Sequence, residues 1–468
     1  MKQVVIIGNG VAGITAARHI RKLSKNGITV ISSETPYFYS RTALMYVYMG
    51  QLKFEHTKPY EDWFWKKNDI NLLFDHVVNL DANNKTVHLN SGRAISYDEL
   101  IIASGSRSNM PGVRGEGSHG VQALYGYQDL ERMEVNTRGV RKAVVIGGGL
   151  IGVEMAEMLH TRKIPVTILI REDAFWSNVL PLPEAQMISR HISSHGIELR
   201  HNQELDEILA DDNGKLVGVR TKDGTHIECD FAGIAIGVHP NVAWLNGSGV
   251  QVKKGVLVNE FLETSIPGVY AIGDCVERTY SLAGRKNIEQ VWYTARMMGE
   301  VVAQTICGRP CKYEPGPWFN SAKFFDIEYQ TYGNVPNIIN ENHGDLYWEH
   351  PSGKKAVHLV WNKHDDVFAG VNAFGIRLRH ERFDLWLREK KSIGYVIDHM
   401  REANFDPEFS KRHEGDIDKN FKKADCNTRI THESFTRHDA YNSDNGINHL
   451  YHRFHFFQRG HVLGGLQT

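Results

Sequence analysis

Two glycine-rich fingerprints constrain the fold of this chain more than any other feature. Gly8-Asn9-Gly10-Val11-Ala12-Gly13 and Gly147-Gly148-Gly149-Leu150-Ile151-Gly152 each follow an apolar run and open an alanine-containing, helix-like stretch. This pattern is typical of a strand, a tight turn and a helix. The first glycine permits the turn, the second lets the backbone approach a pyrophosphate, and the third lets helix and strand pack closely. The phosphates then lie at the helix N-terminus, so two copies predict two bound dinucleotides.

The segments after the two fingerprints repeat the same order of elements. After the first we predict a helix to about residue 23 and strands over 28–31 and 100–105, with a hairpin between them. After the second we predict a helix to about residue 160 and strands over 166–170 and 233–237, again with hairpin turns between them. Strand–helix–strand units with short crossovers form right-handed parallel sheets. The predicted fold class is therefore α/β, with two Rossmann-like dinucleotide-binding domains.

The pattern changes beyond residue 310. Strands and turns over about 318–374, followed by an amphipathic helix over 381–402, predict a smaller α+β domain. The last sixty residues are polar, and we expect residues 406–468 to form a flexible extension. Three histidines near its end, His449, His452 and His455, lack paired ligand spacing and an acidic cluster. No metal site is expected.

Composition restricts the class of partner and the compartment. The chain has 468 residues, 41% of them hydrophobic, and a net charge of -1, which gives no overall attraction to nucleic acid or anionic lipid. No run approaches the roughly 18 apolar residues of a spanning helix, and the N-terminal residues lead directly into a strand. The five cysteines show no zinc spacing, and so sparse a set suits a reducing compartment. We expect a cytoplasmic protein whose partners are small molecules or a protein bound at a local patch, without nucleic acid and without an integral membrane segment.

Several further motifs resemble one family, the FAD-dependent pyridine nucleotide oxidoreductases with two dinucleotide-binding domains. Residues 97–106 resemble the link between the FAD and NAD domains, with Ser104 where threonine is usual. Residues 237–241 resemble the return link, and residues 264–275 resemble the second FAD motif, whose aspartate is Asp274. The resemblance implies a glutathione reductase-like fold. It also implies a discontinuous FAD domain (1–112 and 240–315), an inserted NAD(P) domain (113–239) and a C-terminal α+β interface domain (316–405).

The missing thiols place the chain in a subgroup of that family. Disulfide-using members carry cysteines soon after the second strand, whereas this chain has none before Cys229. A thiolate relay against the flavin is therefore not expected. The segment present there resembles the Tyr-x-Arg segment of rubredoxin, ferredoxin and nitrite reductase-type members and of apoptosis-inducing factor. In those proteins the arginine, here Arg41, pairs with the FAD pyrophosphate. Tyr46 occupies the position near which these relatives often have a lysine that pairs with a glutamate, here Glu154.

The resemblance and the fingerprints together predict the site residues. Those expected to contact FAD or NAD(P)H are Gly8, Gly10, Ala12, Gly13, Glu34, Arg41, Ala103, Ser104, Gly105, Gly147, Gly149, Ile151, Gly152, Arg171, Glu172, Gly237, Gly273, Asp274, Gln290 and Val291. Glu34 either binds the adenosine ribose or is a solvated loop acid. Glu154 is the predicted catalytic residue, which either orients the nicotinamide or makes a plain polar contact. Cys275 is expected to be a small buried residue.

The function expected from the resemblance is electron transfer from NAD(P)H. Hydride would pass from nicotinamide C4 to flavin N5, and electrons would then leave for an acceptor. A small iron–sulfur protein is favoured. A quinone or other small oxidant is the alternative enzymatic acceptor, and a redox-sensing interaction protein like apoptosis-inducing factor is the alternative of another class. The sequence leaves the oligomeric state open, a homodimer included.

The sequence gives conflicting signals on the nicotinamide. NAD-selective sites place an acid at the end of the second strand, and NADP-selective sites place an arginine nearby. Here Ile170 occupies the position of the acid, and Arg171 and Glu172 follow. Both coenzymes are expected to react, with a modest preference for NADH.

Overall fold

The structure, a computed structural model, describes residues 1–405, 408 and 411–423. Apolar runs without polar alternation form its central strands, and four of the five residues of β1 are buried. Such runs are typical of parallel strands covered on both faces. The first elements are β1 (Gln3–Ile7), α1 (Val11–Leu23), β2 (Gly27–Ser32), α2 (Leu44–Tyr48), α3 (Asp62–Lys67), β3 (Ile70–Phe74), β4 (Val77–Asp81), β5 (Thr86–Leu89), β6 (Ala94–Ser96), β7 (Glu99–Ile102) and β8 (Ser106–Ser108).

The second fingerprint lies within an equivalent unit. Its elements are β9 (Val121–Ala123), α4 (Tyr127–Asn136), β10 (Ala143–Ile146), α5 (Leu150–Thr161), β11 (Val166–Leu169), α6 (Leu182–Ser194), β12 (Glu198–Arg200), β13 (Leu205–Ala210), β14 (Leu216–Thr221), β15 (His226–Glu228) and β16 (Phe231–Ile234). The chain then returns to the first unit through β17 (Val238–Pro240), β18 (Val256–Val258), β19 (Val269–Ala271), β20 (Val276–Arg278) and α7 (Trp292–Ile306).

Each unit is built on a five-stranded parallel sheet. The orders are β19-β7-β1-β2-β3 and β12-β11-β10-β16-β9. Three-stranded antiparallel meanders, β4-β5-β6 and β13-β14-β15, accompany the two sheets. Helices α1 and α7 lie close together because Gly299 of α7 faces α1, where a Cβ would come within 2.6 Å of the Ala12 carbonyl oxygen. The predicted α/β class with two Rossmann-like units is confirmed, while the domain boundaries stay predictions.

An antiparallel sheet forms the C-terminal domain. Strands β21 (Phe319–Phe324), β22 (Ile327–Gly333), β23 (His343–Glu349), β24 (Ala356–Asn362) and β25 (Phe368–Phe374) are arranged in the order β21-β22-β25-β24-β23. Helix α8 (His380–Arg388) buries Phe383 and Trp386, and α9 (Ile393–Asp398) follows. The prediction of one helix over 381–402 is therefore wrong. Lys390 adopts φ +50, which breaks the helix, and the Ser392 hydroxyl caps α9 by accepting a bond from the Tyr395 amide.

A polar cluster, buried except for Asp345, joins helix α6 to this sheet. The two ring nitrogens of His358 lie 2.7 Å from a Glu184 carboxylate oxygen and 2.9 Å from an Asp345 oxygen. Asn372 donates to the other Glu184 oxygen. Because carboxylates only accept hydrogen bonds, both nitrogens carry protons, and the two acids raise the pKa of His358 to about 9 against the effect of burial. The imidazolium is thus an ionic tie between the second unit and the C-terminal domain.

Two further observations complete the fold. None of the helices in the described part of the chain combines the length and the apolar character needed to cross a bilayer. By compactness the chain divides into Met1–Glu414 and Gly415–Thr468. The second of these is helical over residues 415–423, and most of the predicted 406–468 extension, with its three histidines and Cys426, lies outside the described residues.

Candidate functional site

A cavity of about 690 Å³ opens at the carboxyl ends of the strands of the first sheet. Its walls include the first fingerprint, the segments 103–107 and 272–274, and the start of α7. Leu150, Ile151 and Glu154, from the first turns of α5, line the same cavity. The two fingerprint helices therefore reach one common space, as expected for ligands that bind at the strand ends of doubly wound sheets.

The first fingerprint has the shape that a pyrophosphate needs. Gly8 has φ +112, and a Cβ there would lie 2.1 Å from the Ala103 carbonyl oxygen. A Cβ at Gly13 would lie 2.1 Å from the Gly8 oxygen, so this glycine permits close packing of helix and strand. A Cβ at Gly10 meets nothing within 4 Å, and no side chain caps α1. The open space beside free helix amides suits a phosphate anion.

The second fingerprint repeats this geometry. Gly147 has φ +118, and a Cβ would lie 2.3 Å from the Ala235 oxygen. At Gly152 a Cβ would lie 2.2 Å from the Gly147 oxygen, whereas at Gly149 it meets nothing within 4 Å. No side chain caps α5. The residues of both turns therefore fit a dinucleotide phosphate.

Glu34 and Arg41 lie in the cavity but bind each other. The Arg41 guanidinium donates two bonds to the Glu34 carboxylate, of 2.9 and 2.6 Å, and a third to the Tyr125 carbonyl. The Tyr39 hydroxyl and the Tyr127 amide also donate to Glu34. Despite burial, the Arg41 charge keeps the pKa of Glu34 below its ordinary value. Their predicted roles toward ribose and pyrophosphate stay predictions.

Asp274 stands at the centre of a partly buried hydrogen-bond network. The Ser106 hydroxyl donates to its carboxylate at 3.3 Å, and the Tyr125 hydroxyl approaches at 3.5 Å. Gln290, just before α7, donates to the Ser106 hydroxyl at 2.8 Å. Burial raises the pKa of Asp274, because so few donors compensate its charge. Hydroxyl donors from a bound ligand would complete this set, which suits the ribityl chain of a flavin.

The predictions omitted Ser106 and Tyr125 from the site. Ser106 ends the link motif that was recognised, so its place in that motif was a usable signal. Tyr125 lies between β9 and α4, in a segment without a motif, and only the fold brings it to Asp274. Ser104 has a different role from Ser106. It donates to the Asn241 carbonyl at 2.8 Å and so ties together the two crossovers between the units.

Glu154 is the titratable group that α5 brings into the cavity. Burial, with a smaller contribution from the negative charge of Glu157, raises its pKa to about 7. Lys323 of the C-terminal domain pairs with Glu157 at 3.3 Å and lies near the Tyr46 ring, which occupies the expected lysine position. Among the described residues no cation pairs with Glu154, so its charge changes near neutral pH.

The remaining predicted residues lie outside the cavity or at its rim. Arg171 and Glu172 follow β11, are ion-paired at 3.1 Å, and lie apart from the cavity lining. Val291 is the N-cap residue of α7, and Gly237, at φ +95, shapes the return crossover. The predicted residues that line the cavity are Gly8, Gly10, Ala12, Glu34, Arg41, Ala103, Ser104, Gly105, Ile151, Glu154, Gly273, Asp274 and Gln290.

The described cysteines do not reach this cavity. Cys275 is fully buried, its thiol faces the Ile102 and Ile272 carbonyls, and burial raises its pKa to about 11. Cys229 is buried in the second unit, and Cys307 and Cys311 lie at and after the end of α7. Within the described residues, the lining of the cavity contains no thiol. The geometry thus supports redox chemistry without a protein disulfide.

Comparison with known proteins gives a consistent result. The family model described as pyridine nucleotide-disulphide oxidoreductase matches residues 2–299, which confirms the resemblance noted in the sequence. The chain is 33% identical over 375 residues to a nitrite reductase [NAD(P)H] of Bacillus subtilis, covering 79% of this chain and 44% of that relative. It is 31% identical over 336 residues to a ferredoxin–NAD(P)+ reductase of a Sphingomonas species, covering 70% and 80% of the two chains.

A solved structure shows the same fold. A NAD-dependent persulfide reductase from A. fulgidus superposes with a TM-score of 0.76 at 25% identity, covering 85% of this chain and 78% of that chain. The chain thus spans less than half of the nitrite reductase that it matches and most of the other two proteins.

Proposed function

Because this chain belongs to the pyridine nucleotide-disulphide oxidoreductase family, we propose that it is an FAD-dependent NAD(P)H oxidoreductase that passes electrons to a small iron–sulfur protein. FAD would occupy the first unit and NAD(P)H the second. When bound, FAD would accept a hydride from the nicotinamide and release electrons to the acceptor.

One observation carries this proposal. Residues of both dinucleotide units, Gly10 and Asp274 from the first and Glu154 from the second, line one cavity. Two dinucleotides held on their own fingerprints would therefore meet at their reactive ends. Such positioning is the protein's main contribution to hydride transfer.

The chain's own residues have separable tasks in this proposal. The free amides of α1 bind the pyrophosphate, and Asp274 accepts hydroxyl donors of the flavin side chain. The N-terminus of α7, capped by no side chain, faces the cavity from Trp292 and favours negative charge on a reduced flavin. Glu154 holds or releases a proton beside the nicotinamide.

Two features of the cavity and one relative support this choice of acceptor. The described lining has no thiol, which agrees with electrons passing directly from the flavin to the acceptor. Trp292 lies at the cavity and is 42% exposed, which provides an apolar surface for contact. The similar Sphingomonas protein is named for its reaction with ferredoxin. A small iron–sulfur protein docked at this rim is therefore the favoured acceptor.

Anaerobic stopped-flow absorbance tests the proposal. The purified chain is expected to carry FAD, to be bleached by NADH, and to be reoxidised quickly by a ferredoxin or a rubredoxin. If NADH bleaches the flavin but only a quinone reoxidises it quickly, the assignment of an iron–sulfur protein as acceptor is wrong. If neither NADH nor NADPH bleaches the flavin, the proposed oxidoreductase activity is wrong.

A further inference from the structure

Three potential metal ligands lie together between helix α6 and the C-terminal sheet. His191 lies in the last turn of α6, and His195 follows one turn later at its C-cap. Asp326 lies in the turn between β21 and β22. One ligand atom from each side chain lies within 4.8 Å of the other two. This cluster belongs neither to the cavity nor to the Glu184–His358 tie.

Oδ1 of Asp326 lies close enough to both imidazole rings for the three side chains to share one cation. Oδ1 of Asp326 lies 2.7 Å from Nε2 of His191 and 3.6 Å from Nε2 of His195. Two ligand atoms on a tetrahedral Zn²⁺ are about 3.4 Å apart, given metal–ligand bonds near 2.1 Å. The Asp326–His195 pair, at 3.6 Å, already has this spacing, and the Asp326–His191 pair, at 2.7 Å, would open by about 0.7 Å on binding. Nε2 of His191 is buried and close to Asp326, yet it makes no hydrogen bond of good geometry within the described residues. A metal between the two atoms would satisfy both.

The tautomer of His195 is already the one that a metal needs. Its Nδ1 lies 2.9 Å from the His191 carbonyl oxygen and must therefore donate a proton to it. Nε2, which lies 3.6 Å from Oδ1 of Asp326, is then the ring nitrogen available to a metal. The Phe325 ring stacks on the His195 imidazole at 4.3 Å and restricts its rotation.

The charges around the cluster tune its affinity. Lys354 binds the other oxygen of Asp326 at 2.8 Å, so Oδ1 stays available but a positive charge opposes the cation. Glu157, paired with Lys323, is close enough to interact with both His195 and Asp326 and partly offsets that charge.

We propose that His191, His195 and Asp326 form a Zn²⁺ site that links the second dinucleotide unit to the C-terminal domain, with water as the fourth ligand. Its role is structural, because the cluster is separate from the cavity lining. This proposal departs from the sequence-based expectation of no metal. It does not depend on the proposed oxidoreductase activity.

Competition with a chromophoric zinc chelator tests the site in the full-length protein. His195→Ala and Asp326→Asn are each expected to weaken Zn²⁺ binding at least about tenfold, a loss seen even for residues that only support a ligand. Lys354→Ala should strengthen binding, because it removes the opposing charge. In thermal unfolding, Zn²⁺ should raise Tm for the wild type and not for His195→Ala.

Controls separate this cluster from other histidines. His226→Ala removes an exposed histidine of β15 and should bind Zn²⁺ like the wild type. Changing His449, His452 and His455 together to alanine should remove any tail binding and leave the site intact. Equal affinity in the wild type and both ligand variants would overturn the proposal, as would the absence of zinc binding in the tail variant. Flavin absorbance and metal-free Tm report whether each variant is folded.

Discussion

Matched substitutions at Gly10 and Gly149 should distinguish the two dinucleotide sites. A Cβ there meets no protein atom within 4 Å, so Gly10→Val should fold while filling the space assigned to a pyrophosphate. We expect the variant to lose its flavin absorbance. The matched variant Gly149→Val, at the equivalent open position of the second fingerprint, should keep FAD and lose reduction by NADH. Full flavin content in Gly10→Val would contradict the assignment of this turn.

Glu154 should make hydride transfer depend on pH around neutrality. Its pKa of about 7 means that the side chain is neutral below and ionised above that pH. Hydride loss develops positive charge on the nicotinamide, which a carboxylate stabilises and a neutral acid does not. The second-order rate constant for flavin reduction by NADH should therefore rise as pH increases through 7. In Glu154→Gln the profile should be flat, and a profile unchanged from the wild type would remove Glu154 from this role.

The positions of single residues were predictable from the sequence where a motif fixes the backbone. Contacts between side chains were less predictable. Gly8 and Gly13 have the close contacts that their fingerprint predicts, and Asp274 and Gln290 line the cavity. The pairing of Glu34 with Arg41 was not foreseen, because a carboxylate and a guanidinium seven residues apart meet only after the loop closes. Tyr125 was missed since it reaches Asp274 from another unit. Such contacts depend on tertiary structure, which a local pattern does not encode.

Among the elements, the tie between α6 and β24 should dominate the stability of the C-terminal domain. His358→Ala removes the cation between Glu184 and Asp345, and breaking a buried ion pair costs about 3–5 kcal/mol. The free energy of unfolding in urea should fall by that amount at pH 6.5. His364→Ala, an exposed histidine in the β24–β25 turn, is the control and should have no effect. Equal stability of the two variants would show that the tie is not stabilising.

The same tie predicts how stability changes with pH. The folded pKa of His358, about 9, is above the ordinary value of 6.5. Its contribution is therefore complete below pH 6.5 and is lost as pH rises through 9. The wild type should lose more stability than His358→Ala over this interval.

The end of β11 should set the choice of nicotinamide. Arg171 is exposed and paired with Glu172, and no second arginine follows to complete a phosphate clamp. We expect kcat/KM to favour NADH modestly, with Glu172→Gln raising the value for NADPH by removing repulsion of the 2′-phosphate. A hundredfold preference for NADPH that disappears in Arg171→Ala would show instead that Arg171 is a phosphate ligand.

Elements were predicted well where hydrophobicity and glycines agree. The strands after both fingerprints exist, although β7 and β16 end earlier than predicted, at Ile102 and Ile234. The residues beyond them turn into the crossovers because Gly105 and Gly237 adopt positive φ. The apolar periodicity over 381–402 continues through the break between α8 and α9, so the pattern predicted one helix instead of two. Lys390 carries no sequence signal for the left-handed conformation that divides it.

On the scale of the whole molecule, the tail should be dispensable for cofactor binding. Among the described residues, all that line the cavity precede residue 296. A chain that ends at residue 423 should therefore hold as much FAD per chain as the full-length protein and be bleached by NADH at the same rate. Loss of FAD on truncation, measured by flavin absorbance, would show that residues 424–468 contribute to the site.

The overall architecture was the most predictable level, because the sequence contains the same strand–helix pattern twice. Repetition of one strand–helix order identified two units, and the motifs after residue 237 implied that the chain returns to the first. The meeting of Glu154 with Asp274 in one cavity depends on how the two sheets are oriented. That orientation rests on crossover contacts, such as the bond from Ser104 to Asn241, which are hidden from local patterns.

The position of β19 late in the sequence determines the order in which the two units can fold during synthesis. It pairs with β7, so residues 269–271 complete a sheet begun by residues 3–7, and Asp274 comes with them. The second unit emerges from the ribosome between these two parts and can close its own sheet first. The first fingerprint must wait with an incomplete sheet, since its partners are distant in sequence and domains fold as units during translation. The nascent chain can therefore bind the flavin only late in synthesis, after the first sheet is complete.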